Sequence, residues 1–171
     1  MFKKILWATL GLSVLFFVFL VWFQATYSMD YVKTKEINSQ TNTKKILIAT
    51  QGSEYKNDVV SAISDEFKNK SIYIKIIDVS LLGKVNPDKW NAIIILHTWE
   101  IWKPEENSEK FLKKYFDSSK MFAIATSGSG DNMIDGMDGI TGASSLDLID
   151  KDSKTIISWL NEVLKITNTT K

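Results

Sequence analysis

Lys44 to Lys56 reads KKILIATQGSEYK, a short β-branched and aliphatic run that ends in the polar turn Gln51-Gly52-Ser53. That is how a buried strand gives way to a helix. Downstream, Val59, Val60, Ala62, Ile63 and Phe67 recur at helical spacing between Asn57 and Phe67, which predicts an amphipathic helix packed on a sheet. Working outward, Ser71 to Val79 (SIYIKIIDV) reads as a second strand, and Ser80 to Trp90, with Gly83 and Pro87, holds at most a short helix. Asn91 to His97 (NAIIILH) is a continuous apolar run of the kind buried on both faces. A helix over Glu105 to Phe116 opens just after Pro104, Lys120 to Thr126 (KMFAIAT) supplies a fourth strand, and a last helix covers about Ser153 to Ile166. Strands alternating with helices make an α/β class with a parallel sheet and right-handed crossovers. Between Asp131 and the last helix no strong fifth strand is visible, so a short sheet of four to five strands is expected.

Ahead of this domain, Ile5 to Phe23 (ILWATLGLSVLFFVFLVWF) carries no charge and no Pro. At about 1.5 Å per residue it crosses roughly 30 Å of hydrocarbon. A cleaved secretory signal, with a cut after Ser28, is the alternative; the apolar stretch is long and bulky for one. Lys3 and Lys4 precede the span, and Asp30, Lys33, Lys35 and Glu36 follow it, a bias that places the N-terminus inside and the domain outside. The expected organisation is a cytoplasmic tail (1–4), a transmembrane anchor (5–23), a polar linker (24–43) and one domain (44–171).

Composition removes several chemistries. The chain has no Cys and one His, so it offers neither thiolate chemistry nor a Cys/His zinc set, and no metal is expected. Formal net charge is +1 over 171 residues with no long run of either sign, which leaves no electrostatic footprint for nucleic acid. Asp131, Asp135 and Asp138 read as surface acids, and Glu105 and Glu106 complement a helix start.

In a parallel sheet, ligands sit beyond the carboxyl ends of the strands. Three loops are expected there: Thr50 to Lys56, His97 to Lys103, and Thr126 to Asp131 onward. At these loops the chain resembles the flavodoxin-like family over most of Lys44 to Ile166, which implies a three-layer flavodoxin-like fold and flavin mononucleotide (FMN) as cofactor. IATQGSEYK occupies the slot of the flavodoxin phosphate loop, making Thr50, Gly52, Ser53 and Glu54 the candidates for the phosphate; a plain strand-to-helix turn is the alternative. HTWEIWK stands where flavodoxins place an aromatic platform for the flavin ring, which implies Thr98 and Trp99, or Trp102; ordinary Trp packing is the alternative. TSGSGD resembles the loop along the flavin edge and implies roles for Ser127, Gly128, Ser129, Gly130 and Asp131.

A second resemblance lies in Asp138 to Ser144, DGITGAS, which is similar to the acceptor motif read by extracytoplasmic flavin transferases. It implies Ser144 as the residue esterified to FMN and Asp138 as the motif's acid. Gly139, Gly142 and Ala143 are small enough to let another active site approach the backbone. FMN is thus expected either non-covalently or covalently at Ser144, in a membrane-held electron carrier with a redox protein partner rather than a stand-alone enzyme, a small quinone or flavin reductase being a third alternative. A flavin-free module of the same fold that binds a protein or cell-envelope component is the rival expectation.

Overall fold

The computed structural model describes residues 2–27, 29–100, 102–137 and 139–166. They fall into two units, Met1–Asp30 and Tyr31–Lys171.

In the first unit, α1 (Phe2–Tyr27) is a helix of 26 residues. Its Phe2–Phe23 stretch has a mean hydropathy of 2.4 and is long and apolar enough to cross a membrane. Two of its hydroxyls bond back within the helix: Thr9 Oγ1 donates to Leu6 O at 2.9 Å and Ser13 Oγ to Thr9 O at 3.0 Å. Such back-bonding spares both hydroxyl hydrogens exposure to an apolar surrounding.

The second unit is built on a mostly parallel sheet. Its strands are β1 (Lys35–Ile37), β2 (Lys44–Thr50), β3 (Ile72–Asp78), β4 (Ala92–Glu100), β5 (Lys103–Pro104), β6 (Met121–Thr126) and β7 (Gly139–Gly142). They run in the order β1-β3-β2-β4-β6-β7, with β5 folded back on β4. Strands β3, β2, β4, β6 and β7 are parallel, and β1 is antiparallel to β3. Because successive side chains leave a strand on opposite faces, two cores form. Ile46, Ile48, Ile74, Ile94 and Leu96 pack with α2 (Glu54–Phe67) and α4 (Ile149–Val163) on one face. Leu47, Ala49, Ile93 and Ile95 pack with α3 (Glu106–Tyr115) and the 3-10 segment Val79–Lys84 on the other. The central runs KKILIAT and NAIIILH are therefore apolar throughout, since neither of their faces meets water.

The structure differs from the sequence reading in three places. A fifth parallel strand exists: Gly139–Gly142 pairs with β6, Ile140 opposite Ile124 and Gly142 opposite Thr126. With two glycines in four residues it has no apolar periodicity to detect. Gly139 owes its place to close approach, since a Cβ added there would lie 1.9 Å from the carbonyl oxygen of Ala123, whereas one at Gly142 meets nothing within 4 Å. Gly139→Ala is accordingly expected to cost about 2 kcal/mol in urea denaturation, and Gly142→Ala less than about 0.5 kcal/mol.

The stretch read as a linker also contributes structure. β1 pairs Lys35 with Ile76 and Ile37 with Ile74, and the Val32 N–H donates to Asp78 Oδ2 at 2.9 Å. Asn38, at φ 64°, donates its Nδ2 to Phe67 O at 3.2 Å, Lys70 O at 3.0 Å and Ile72 O at 2.8 Å. A three-residue edge strand held by one side-chain clip is too short to announce itself by period. Finally, β4 continues through Thr98, Trp99 and Glu100, so the second expected loop is mostly strand; Glu100 pairs with Lys103 and the chain reverses between them.

Candidate functional site

The chain leaves β2 for β3 on one side and later returns to β4 on the other, so the strand order reverses between β2 and β4. Beyond the carboxyl ends of such a pair lies the crevice in which parallel sheets bind ligands. Here that place holds the protein's own side chains. Lys56, in the first turn of α2, is 0 % exposed, and its Nζ donates to Thr98 Oγ1 at 2.6 Å. Thr98 Oγ1 lies 3.3 Å from Thr126 Oγ1 on the next strand. Gln51 closes the other side: its N–H donates to Leu96 O at 3.2 Å and its Oε1 accepts from the Thr98 N–H at 2.6 Å. Burial pushes the Lys56 ammonium down to about 8, against the opposing pull of Glu100. Neither Lys56 nor Gln51 was singled out from the sequence, where a Lys in a first helical turn reads as a solvated charge.

The phosphate-loop candidates are arranged around this filled crevice. Ser53 is the N-cap of α2; its side chain accepts from the Lys56 N–H at 3.3 Å and its carbonyl from the Asn57 N–H at 2.8 Å. Thr50 is buried and donates its hydroxyl to Gln51 O at 3.1 Å. Gly52 is buried as well, and Glu54 is exposed in the first turn, where its charge suits the helix dipole. Of the N–H groups at the start of α2 that lack an intrahelical acceptor, that of Lys56 is taken by the Ser53 side chain. Tyr55 fixes the turn from below, its hydroxyl donating to Asp152 Oδ2 of α4 at 2.5 Å.

The two tryptophans separate cleanly. Trp99 packs against the core on the α3 face, whereas Trp102 is 91 % exposed with φ 65° between β4 and β5. Of the two, Trp102 is the one that presents an exposed ring. Thr98 is buried and accepts from Lys56 Nζ.

TSGSGD (126–131) and DGITGAS (138–144), separated by a short loop in the chain, lie side by side. The Ser127 N–H donates to Gly142 O at 3.0 Å, continuing the β6–β7 ladder into both motifs. Ser127 Oγ accepts from the Gly130 N–H at 2.9 Å, and Ser129 Oγ accepts from Asn132 Nδ2 at 2.9 Å and bonds Asp131. Gly130, at φ 77°, lies so close to the Gly142–Ala143 backbone that a Cβ would sit 3.3 Å from Ala143 N. Gly128 faces open space. Ser144 follows β7 at φ 54° and is half-buried. Asp138 lies outside the described residues.

His97, on the α3 face of β4, is fully buried, and neither ring nitrogen has a hydrogen-bond partner among the described residues. Burial pushes its pKa down to about 4, although Thr98, Glu105 and Glu109 pull the other way. It is walled off from the rim and acts on stability.

No model of a known protein family matches this chain, and no curated protein matches it either.

Proposed function

We propose that this is a membrane-anchored, flavodoxin-like electron-transfer module that carries FMN as a phosphoester on Ser144 at the outer face of the membrane. The observation that carries the reading is the convergence of DGITGAS and TSGSGD at one rim, with Ser144 just beyond the carboxyl end of β7. The parallel order β3-β2-β4-β6-β7 supports the flavodoxin-like assignment, since numbering these strands along the chain gives 2-1-3-4-5. The span Phe2–Phe23, and Lys3 and Lys4 ahead of its uncharged run from Ile5 to Phe23, support the anchor and its orientation.

The residues fit a phosphoester-held FMN better than a loop-held one. The crevice beside the β2–α2 turn is filled by Lys56, whereas Ser144 is half-exposed beside open space at Gly142 and Gly128. A covalent link makes a phosphate loop unnecessary. When bound, the flavin supplies the redox chemistry; the chain supplies the attachment oxygen, the hydroxyls of Ser127 and Ser129 along one edge, and the exposed indole of Trp102 as a stacking surface.

Full-length protein expressed with an extracytoplasmic flavin transferase should gain the mass of one FMN less one water, with yellow absorbance. Ser144→Ala should abolish both. Unmodified wild-type protein in a strain that flavinylates other acceptors would refute the attachment. The filled β2/β4 crevice favours a second reading, a flavin-free module of the same fold that binds a redox or envelope protein. Under that reading, surface crosslinking captures the same partner from wild-type and Ser144→Ala chains alike, and loss of capture with Ser144 counts against it.

A further inference from the structure

β7 ends the sheet: β6 bonds one side of it, and no strand among the described residues bonds the other. In a parallel ladder the N–H and C=O of one residue point the same way, and those of the next residue the opposite way. Because Gly142 O accepts from the Ser127 N–H, Gly142 and Ile140 face β6. The N–H and C=O of Gly139 and Thr141 therefore lie along the outer edge. Natural edge strands are usually blunted by Lys, Pro or a covering segment. From Gly139 to Ala143 this one has no charge and no Pro, and the space beside Gly142 is open.

We propose that the enzyme that loads Ser144 docks by adding a strand of its own to the outer edge of β7, reading the acceptor motif in extended form. This rests on the reading of Ser144 as the flavin acceptor. Strand addition secures backbone through main-chain hydrogen bonds and leaves specificity to neighbouring side chains. Small residues at Gly139, Gly142 and Ala143 clear the approach, and the positive φ of Ser144 turns the chain out of the ladder immediately after the docked strand. The segments flanking β7 carry the exposed acids Asp131, Asp135 and Asp147, with Asp150 ion-paired to Lys154, so the incoming strand is matched by a basic surface. In the reaction so positioned, Ser144 Oγ forms a bond to the FMN phosphorus of flavin adenine dinucleotide as the pyrophosphate P–O bond breaks. AMP leaves, and the hydroxyl proton passes to a base of the enzyme; nothing is oxidised or reduced.

The test measures kcat/KM for flavin transfer from flavin adenine dinucleotide to the full chain in detergent by a purified extracytoplasmic flavin transferase. Thr141→Pro removes the outward N–H and spares the bonds to β6, so it should lower the value about tenfold or more. Thr141→Val keeps the N–H and should stay within about twofold. Transfer to Thr141→Pro at the wild-type rate overturns strand docking and leaves the acceptor reading standing. Equal absence of transfer to wild type and Ser144→Ala overturns both. Should Thr141→Pro lose its cooperative thermal transition, amide exchange at Thr141 in the Ser144→Ala chain decides. Slowing of about tenfold with saturating transferase supports docking; unchanged exchange, or slowing that tracks chain concentration without the enzyme, overturns it.

Discussion

Lys56→Met is expected to stabilise the domain at pH 7 by about 2 kcal/mol, or roughly 4–8 °C in melting temperature. The wild-type ammonium is fully buried, and burial lowers its pKa from 10.5 to about 8. At pH 7 it remains charged, and a shift of that size corresponds to about 3 kcal/mol of unfavourable burial, partly offset by the ammonium's polar contacts, the hydrogen bond to Thr98 among them, which Met cannot make. The pH dependence follows from the direction of the shift. Between about 8 and 10.5 the unfolded chain holds the proton more tightly than the folded one, so wild-type stability rises with pH across that window. The advantage of the Met variant should shrink over the same range, and urea titrations of both proteins at pH 7 and pH 10 measure the difference. A Met variant less stable than wild type at pH 7 would mean that the ammonium contributes net binding energy to the fold. If the gain is observed, Lys56 is retained against stability, which is the pattern of a residue kept for its charge beneath a functional rim.

His97→Leu should have an effect of similar size with a different pH signature. The wild-type ring is 0 % exposed, its nitrogens have no hydrogen-bond partner among the described residues, and burial pushes its pKa from 6.5 to about 4. Below pH 6.5 the unfolded chain binds a proton that the folded chain resists, so the contribution of neutral His97 is complete above 6.5 and is lost as pH falls toward 4. That loss reaches about 3 kcal/mol by pH 4. The groups facing the ring set its size: Glu105 and Glu109 of the α3 region ease protonation and Lys56 opposes it. Leu fills a similar volume without orphaned polar atoms, so it should add about 1–3 kcal/mol at pH 7 and flatten the stability profile between pH 6.5 and 4. Carboxylates titrate in the same range, so the informative quantity is the difference between the two proteins. A wild-type profile parallel to that of the Leu variant would place the proton elsewhere.

The division between local and tertiary information follows the physics of each feature. Runs such as KKILIAT and NAIIILH are legible because burial on both faces demands apolar residues at every position, and helices α2 and α4 because one face of each meets the sheet. The span Phe2–Phe23 is legible for the same reason, a single solvent requirement repeated along the chain. Position at the carboxyl rim could likewise be expected for TSGSGD once strands and helices alternate.

Only the tertiary structure supplied β1 and β7, because strands of three and four residues carry no period and exist through their partners β3 and β6. It also sent Trp99 inward and left Trp102 on the rim, and it turned Lys56 into the crevice between β2 and β4. A four-carbon stem reaches solvent or core according to what the fold places above it, which no local pattern encodes. The meeting of Ser127 and Gly130 with Gly142 and Ala143 depends likewise on the pairing of β6 with β7, fixed by the ladder and by the absence of a side chain at Gly139.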